Sequence, residues 1–235
     1  MSGGTRGGVE PVAGPSWTVT WTTGSAAAFH ARGVPSVATR EVEVLRVERA
    51  ALVLGSTQPD ADADADALEA AGVALVRRRS GGGAVLLEAD GATWVDVVLP
   101  AGDPLWSDDV GLAFHWLGRA WAAALADLGV EGPAVHEGPL RASRWSRLVC
   151  FAGLGPGEVT VGGAKVVGIA QRRTRAGARF QCALLHRWDP AAIVDLLAFD
   201  PDERTQAVDD LGVVATGVDV PSGAAVDALV HHLPG

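Results

Sequence analysis

The chain has 235 residues, and 48% of them are hydrophobic, a proportion typical of a globular protein with one sizeable core. The formal net charge is −9, which argues against general nucleic-acid binding because an acidic surface repels a polyanion. No apolar run reaches the roughly 18–20 residues that span a bilayer, so we expect no membrane partner. The only cysteines are Cys150 and Cys182. This scarcity argues against a disulfide framework and predicts a cytoplasmic protein.

The predicted elements begin after a leader. Residues 1–16 lack a basic start followed by an apolar stretch, so they predict a flexible leader and not a secretory signal. Alternating apolar and polar residues then predict strands, and apolar residues at helical spacing predict helices. Strands are predicted at 17–23, 40–47, 51–55, 73–77, 84–88, 93–100, 158–163, 165–173 and 179–185. Helices are predicted at 25–33, in the later part of 58–72, and at 107–130, 189–197 and 222–233.

Local signals refine some of these elements. Ser107 or Asp108 is the expected N-cap of the longest helix. The hairpin between 158–163 and 165–173 is expected to turn at its two glycines. The alternating Asp-Ala residues near the start of 58–72 lack the glycine turn and distal glutamate of a calcium loop. They therefore predict a solvated acidic face, and we expect no metal site.

The element pattern predicts the fold class. Strands outnumber helices and hairpin-type connections dominate, which is typical of an α+β fold with a largely antiparallel or mixed sheet and flanking helices. A composition change near 201–217 marks a loose boundary. We therefore expect a single domain over 17–200, followed by a C-terminal loop and helix over 201–235.

The stretch RRRSGGGAV, residues 77–85, places three arginines, a serine and three glycines between two predicted strands. Arginine supplies fixed positive charge, and glycine lets backbone N–H groups approach a ligand closely. The stretch is neither a Walker loop nor a dinucleotide fingerprint, because no lysine follows the glycines and a strand comes next. It can hold an anion or another polar group through backbone donors. A simple turn stays open as the alternative. Two further interpretations stay open for this basic cluster and for a second one at 172–179. The arginines can lie in solvated loops, or they can dock an acidic partner.

Two single residues also indicate chemistry. Lys165 begins an apolar strand, where a buried ammonium needs a partner. Such a lysine can bind an acyl phosphate or polarise a carbonyl, or it can simply extend its charge to water. Cys150 stands where an apolar strand meets a glycine-rich loop. A partly exposed thiol near positive charge can carry an acyl group as a thioester, and the alternative is a small buried residue.

These segments together resemble the catalytic domain of lipoate–protein ligases and octanoyltransferases. The family patterns are R-R-x-[ST]-G-G-G-A-V and, further along, G-x-K-[IV]-x-G-[SA]-A-x-R. The matching residues are Arg77, Arg78, Ser80, Gly81, Gly82, Gly83, Ala84 and Val85 for the first pattern, and Gly163, Lys165, Val166, Gly168, Ala170, Gln171 and Arg173 for the second. With the similar opening segment, the resemblance spans roughly 17–197.

The resemblance implies an enzyme that attaches an octanoyl or lipoyl group to a lysine of a lipoyl domain. Such domains occur in the acyltransferase subunit of 2-oxoacid dehydrogenase complexes and as the glycine-cleavage H protein. Lys165 would contact the reacting carbonyl or phosphate. The substrate would be lipoate or octanoate, with no tightly bound cofactor. The residues implied in substrate binding are Arg78, Ser80, Gly81, Gly82, Gly83, Ala84, Gly163, Gly168, Ala170 and Gln171.

Cys150 narrows the resemblance to the cysteine-dependent octanoyltransferases. In that branch a Cys-Phe pair, a loop and a glutamate precede the lysine motif, and here Glu158 fits without a gap. This implies transfer through a Cys150 thioester, with acyl carrier protein or another lipoyl protein as donor and without ATP. Two alternatives stay open. One is a ligase that uses ATP and Mg to form an acyl-adenylate, with Cys150 as a bystander. The other is a non-catalytic module that binds lipoyl or acyl groups.

The chain also departs from the family at three places. Leu87 and Glu88 stand where the family has His-Asp, which argues against a complete adenylation site. Residues 152–155 replace the expected Pro-Ser after the Cys-Phe pair. Residues 180–185 replace the family's H-G-[ST]-x-L-L, and Cys182 in that segment is predicted to be a core residue.

Overall fold

The structure, a computed structural model, describes residues 17–36 and 38–235. The predicted leader lies outside the described residues. Ten strands and six α-helices form the described part of the chain. The strands are β1 Thr18–Gly24, β2 Glu41–Val47, β3 Ala51–Leu54, β4 Ala74–Arg77, β5 Val85–Leu87, β6 Ala92–Pro100, β7 Pro133–Val135, β8 Val159–Val161, β9 Ala164–Arg173 and β10 Gly177–Leu185. The helices are α1 Ala26–Ala31, α2 Ala65–Ala71, α3 His115–Asp127, α4 Pro190–Val194, α5 Pro201–Gly212 and α6 Ser222–His232.

The strands form two sheets. The larger sheet has the order β1-β2-β6-β10-β9-β8-β7, with β1 and β2 parallel and the other neighbours antiparallel. The smaller sheet has the order β4-β3-β5, in which β3 is parallel to β4 and antiparallel to β5. The predicted α+β class with a largely antiparallel sheet is confirmed. Because β4 and β5 lie on opposite sides of β3, the arginine-glycine stretch crosses the end of that strand and does not turn a hairpin.

Apolar side chains fill the space on both sides of the larger sheet. On one side, α3 and α6 pack together, and Leu117, Trp121 and Leu125 of α3 are completely buried. Their four-residue spacing puts them on one face of the helix. Burying each such side chain contributes about 1.5–3 kcal/mol. On the other side, the smaller sheet and α1 form a second layer. None of the described helices is both long and apolar enough to cross a membrane.

The structure corrects three local predictions. Asp109 accepts hydrogen bonds from the N–H groups of Gly111 and Leu112, so the chain turns there and α3 begins only at His115. The predicted cap at Ser107 or Asp108 is therefore wrong. Strand β7 was not predicted. The segment after 200, predicted to start as a loop, forms α5, where Asp200 caps the helix and proline occupies its first turn.

Candidate functional site

A pocket lies between the larger sheet and the smaller one. Neighbouring strands of the larger sheet place Gly168 beside Ala183 and Ala170 beside Gln181. Three of these four positions carry only a hydrogen or a methyl group, so the sheet leaves space in front of them. The pocket is lined by His30, Val53, Arg78, Val85, Leu87, Trp94, Cys150, Phe151, Gly168, Ile169, Ala170, Gln181, Cys182 and Ala183. Most of this lining is apolar, as is usual for a small-molecule site.

The glycine loop lies directly against the segment that carries Cys150. The N–H of Ala84 donates to the carbonyl of Leu148 at 2.7 Å, and the N–H of Cys150 donates to the carbonyl of Ala84 at 2.9 Å. A Cβ atom on Gly83 would lie 2.6 Å from the nitrogen of Val149, so only glycine permits this approach. Gly82 has a φ of +100°, which also favours glycine. The loop and the cysteine are thus brought together although they are far apart in sequence.

Arg78 connects the loop to the thiol. Its side chain is buried, and Nη2 donates to the carbonyls of Gly81 and Gly83, both at 2.9 Å. The same nitrogen lies 3.5 Å from Sγ of Cys150. The guanidinium therefore holds the curvature of the loop and places a positive charge beside the sulfur.

The two cysteines differ in accessibility. Cys150 is half-buried and begins a single 3₁₀ turn, Cys150–Ala152, at the pocket. Cys182 is fully buried in the core, and this burial raises the pKa of its thiol to about 12. The prediction that Cys182 is a core residue is confirmed. A thiol must lose its proton to act as a nucleophile, so Cys150 is the candidate.

Lys165 is buried and fully engaged. Its ammonium donates to the carbonyl of Cys150 at 3.2 Å and to that of Gly153 at 3.0 Å. It also forms a 2.7 Å ion pair with Glu158, and Nζ lies 4.8 Å from the centre of the Phe151 ring. The alternative in which this ammonium reaches water is therefore wrong. Lys165 lines a second cavity on the far side of the Cys150 turn and is absent from the lining of the described pocket.

Glu158 completes the support of the turn. One carboxylate oxygen accepts from the N–H of Gly155 at 2.7 Å, and the other accepts from the N–H of Ile169 at 3.1 Å. Only 5% of the residue is exposed. Sequence reasoning gave Glu158 only as a motif position. A lone acid just before an apolar hairpin is the signal that marks it, because a buried carboxylate needs partners.

A buried polar network lies under the pocket. Trp94 donates from Nε1 to Asp96 at 2.9 Å, and Arg179 donates to the same carboxylate at 2.8 Å. Burial raises the pKa of Asp96 to about 6 against the effect of Arg179. Arg179 belongs to the second basic cluster, and its burial shows that this part of the cluster is not a solvated loop.

His30 joins this network at the pocket. Its ring stacks on Trp94 with 4.6 Å between centroids, and Nδ1 lies 3.4 Å from Nε2 of Gln181. Burial, with a smaller effect of the Arg78 charge, lowers the pKa of His30 to about 4, so the ring is neutral at neutral pH. Sequence reasoning missed this residue, because a histidine in a short alanine-rich helix gives no pattern that distinguishes a pocket from a core.

The other predicted positions fall around this centre. Ser80 is buried beside the loop, and Gly163 occupies the predicted hairpin turn with a φ of +87°. Gln171 lies on β9 beyond the pocket lining. Leu87, at the place of the family histidine, lines the pocket, whereas Glu88 forms an ion pair with an arginine at the surface.

Comparisons with known proteins identify the family of this chain. The family "lipoyl protein ligase A/B catalytic domain" matches residues 31–219. The chain is 32% identical over 150 residues to octanoyltransferase LipM of Exiguobacterium sp., a match that covers 62% of this chain and 54% of that protein. It is 31% identical over 144 residues to octanoyltransferase LipM of Kyrpidia tusciae, covering 60% and 52%. The chain thus spans about half the length of the curated relatives it matches.

The fold is similar to that of solved structures. The bipartite lipoate protein ligase of Thermoplasma acidophilum, described with its E2 lipoyl domain, superposes with a TM-score of 0.70 at 18% identity. The superposition covers 93% of this chain and 82% of that one. At this identity the likeness concerns the fold alone.

Proposed function

The chain belongs to the lipoyl protein ligase A/B catalytic domain family, and from this premise we propose that it transfers an octanoyl or lipoyl group through a thioester on Cys150. The acceptor is a lysine of a lipoyl domain, such as the acyltransferase subunit of a 2-oxoacid dehydrogenase complex or the glycine-cleavage H protein. The donor is an acyl carrier protein or another lipoyl protein. The similarity to octanoyltransferases supports an octanoyl or lipoyl group as the group transferred. The presence of Cys150 at the pocket supports transfer through a thioester.

One observation carries the proposal most directly. Of the two thiols, that of Cys150 is half-buried and that of Cys182 is buried. Cys150 lines an apolar pocket, and Nη2 of Arg78 lies 3.5 Å from its sulfur. A cation at this distance stabilises a thiolate, which is the nucleophilic form of cysteine. The apolar wall suits an alkyl chain, whose burial contributes about 0.8 kcal/mol per CH₂.

The reaction proceeds in two balanced steps. The Cys150 thiolate attacks the carbonyl carbon of the donor thioester, the carbon–sulfur bond to the carrier breaks, and the carrier leaves as a thiol after taking up a proton. The neutral amine of the acceptor lysine then attacks the carbonyl carbon of the Cys150 thioester, an amide forms, the carbon–sulfur bond to Cys150 breaks, and the proton lost by the amine returns Cys150 to its thiol. The first step exchanges one thioester for another and is nearly isoenergetic. The second runs downhill because an amide is more stable than a thioester.

Lys165 supports this reaction by holding the turn that carries the nucleophile. Its ammonium binds the carbonyl of Cys150 itself and that of Gly153. In this proposal the ammonium also opposes the negative charge that develops on the oxygen of the reacting carbonyl.

Intact-protein mass spectrometry tests the proposal. After mixing with octanoyl carrier protein, the chain should gain the mass of one octanoyl group, and Cys150→Ser should abolish the gain at this thiol. Cys182→Ser is the matched control and should keep the adduct, because this thiol is buried in the core. If Cys150→Ser retains full lipoylation of a lipoyl domain with lipoate, ATP and Mg, the ATP-dependent ligase is correct instead. Ligand binding without turnover under all these conditions would favour the non-catalytic module.

A further inference from the structure

The pocket contains one buried ring nitrogen that no other group uses. His30 is 7% exposed and lines the pocket, and its Nε2 has no hydrogen-bond partner within residues 17–36 and 38–235. Trp94 covers one face of the ring, and Gln181 lies beside Nδ1. A buried polar atom without a partner costs free energy, so its presence in a pocket points to a ligand.

The neighbours of His30 define what Nε2 offers. The amide nitrogen of Gln181 lies 3.5 Å from a carboxylate oxygen of Asp96 and 3.4 Å from Nδ1 of His30. An amide nitrogen carries two hydrogens and can donate to both groups. Nδ1 is then the acceptor, so the ring hydrogen resides on Nε2. The imidazole is therefore a single neutral donor.

The sheet register locates this donor within the pocket. Gly168, whose added Cβ would lie 3.2 Å from the Phe151 ring, pairs with Ala183. Ala170 and Gln181 form the next row facing the same side, farther along β9 from Lys165. His30 thus meets the pocket on the side away from Lys165, along the path of an acyl chain and not at the ammonium.

We propose that His30 determines acyl specificity by favouring a chain that carries a hydrogen-bond acceptor, such as a dithiolane sulfur or a hydroxyl oxygen, over a plain alkyl chain. The inference rests on the proposed function, because it takes this pocket as the acyl site. A plain alkyl chain would exclude water and leave Nε2–H unpaired. Sites built around a hydrogen bond reject ligands that lack it more strongly than apolar sites reject one methylene.

Calorimetric titration with three free acids tests this inference: octanoate, 8-hydroxyoctanoate and lipoate. For the unmodified chain we expect at least one acceptor-bearing acid to bind about tenfold more tightly than octanoate. His30→Phe keeps a ring against Trp94 but removes the donor, and should bring that ratio close to one. His30→Gln retains a donor and should keep part of the preference. His231→Phe makes the same change at an exposed position and should leave the ratio unchanged.

The three acids also separate the possible outcomes. A preference for lipoate alone identifies sulfur as the acceptor, and a preference for 8-hydroxyoctanoate alone identifies oxygen. An equal ratio in the unmodified chain and His30→Phe overturns the inference, and so does the absence of binding by all three acids. The titration measures binding and needs no acyl transfer. A missing Cys150 adduct would therefore refute the thioester route, while the affinity ratios would still test the role of His30. Melting curves of each variant confirm that it is folded.

Discussion

Replacing Lys165 with methionine tests how the Cys150 turn is held. Methionine keeps an unbranched stem of similar length but removes the ammonium. The carbonyls of Cys150 and Gly153 then lose their shared donor, and Glu158 keeps a buried charge without its counter-ion. The two paired side chains are only 2% and 7% exposed, so solvent screens the loss very little.

The structure sets the size of the expected effect. Removing one partner of a buried ion pair costs about 3–5 kcal/mol. For a chain of this length each kcal/mol shifts the melting temperature by roughly 2–4 °C, so Lys165→Met should lower it by roughly 6–20 °C. Adding Glu158→Gln removes the unpaired charge. The double variant should therefore recover about 1–3 kcal/mol relative to Lys165→Met.

Two measurements check this reasoning. Thermal unfolding by circular dichroism gives the stability, and the rate of iodoacetamide labelling in a Cys182→Ser background reports the environment of Cys150 alone. The labelling rate should change several-fold when the turn loosens. Arg119→Met removes an exposed ion pair with Glu137 and should leave the melting temperature nearly unchanged. A loss as small as that of Arg119→Met, or a double variant no more stable than Lys165→Met, would refute the reasoning.

Three further predictions concern the loop and the pocket. Gly83→Ala forces a Cβ to 2.6 Å from backbone and should destabilise the chain by about 1–3 kcal/mol in urea unfolding, whereas Gly81→Ala, with open space at its Cβ, should change little. Arg78→Gln removes the cation 3.5 Å from the sulfur and should slow Cys150 alkylation at pH 7 several-fold; an unchanged rate would contradict this role. The pKa of His30 falls from 6.5 to about 4 on folding, so its contribution is complete above pH 6.5 and is lost as the pH falls toward 4. The stability gap between the unmodified chain and His30→Phe should therefore shift by about 2.5 kcal/mol in favour of the variant between pH 7 and pH 4.5, and parallel stability curves would show that the pKa is not depressed.

Strands were predictable here because a half-buried strand alternates its side chains, as Glu41–Val47 does. Helix α5 was not, because among its twelve residues only Ala207 and Leu211 are buried. Two apolar positions make too narrow a stripe to show helical spacing. The predicted start of α3 was wrong for a different reason, because the side chain of Asp109 binds the N–H groups of Gly111 and Leu112 and the regular helix begins only after this local turn.

The site was predictable in part. Sequence motifs identified Arg78, the glycines and Cys150, and their proximity follows from a bridge between Ala84 and Val149. No periodic pattern encodes that bridge, because it joins segments more than sixty residues apart in the chain. The partners of Lys165 were equally hidden. A lysine at the start of a strand has the same sequence signature whether its ammonium meets water or, as here, carbonyls and Glu158.

The position of the Cys150 turn between two cavities bears on how transfer would proceed. Phe151 lines the apolar pocket on one side and the cavity that holds Lys165 on the other. The second cavity borders the exposed residues Arg141 and Val213. A transferase must keep the acyl chain in place while an outside thiol or amine reaches the same carbonyl carbon. Cys150 lines the apolar pocket, and the next residue, Phe151, also lines a cavity bordered by exposed side chains, so the turn offers the acyl chain and the acceptor different sides of approach.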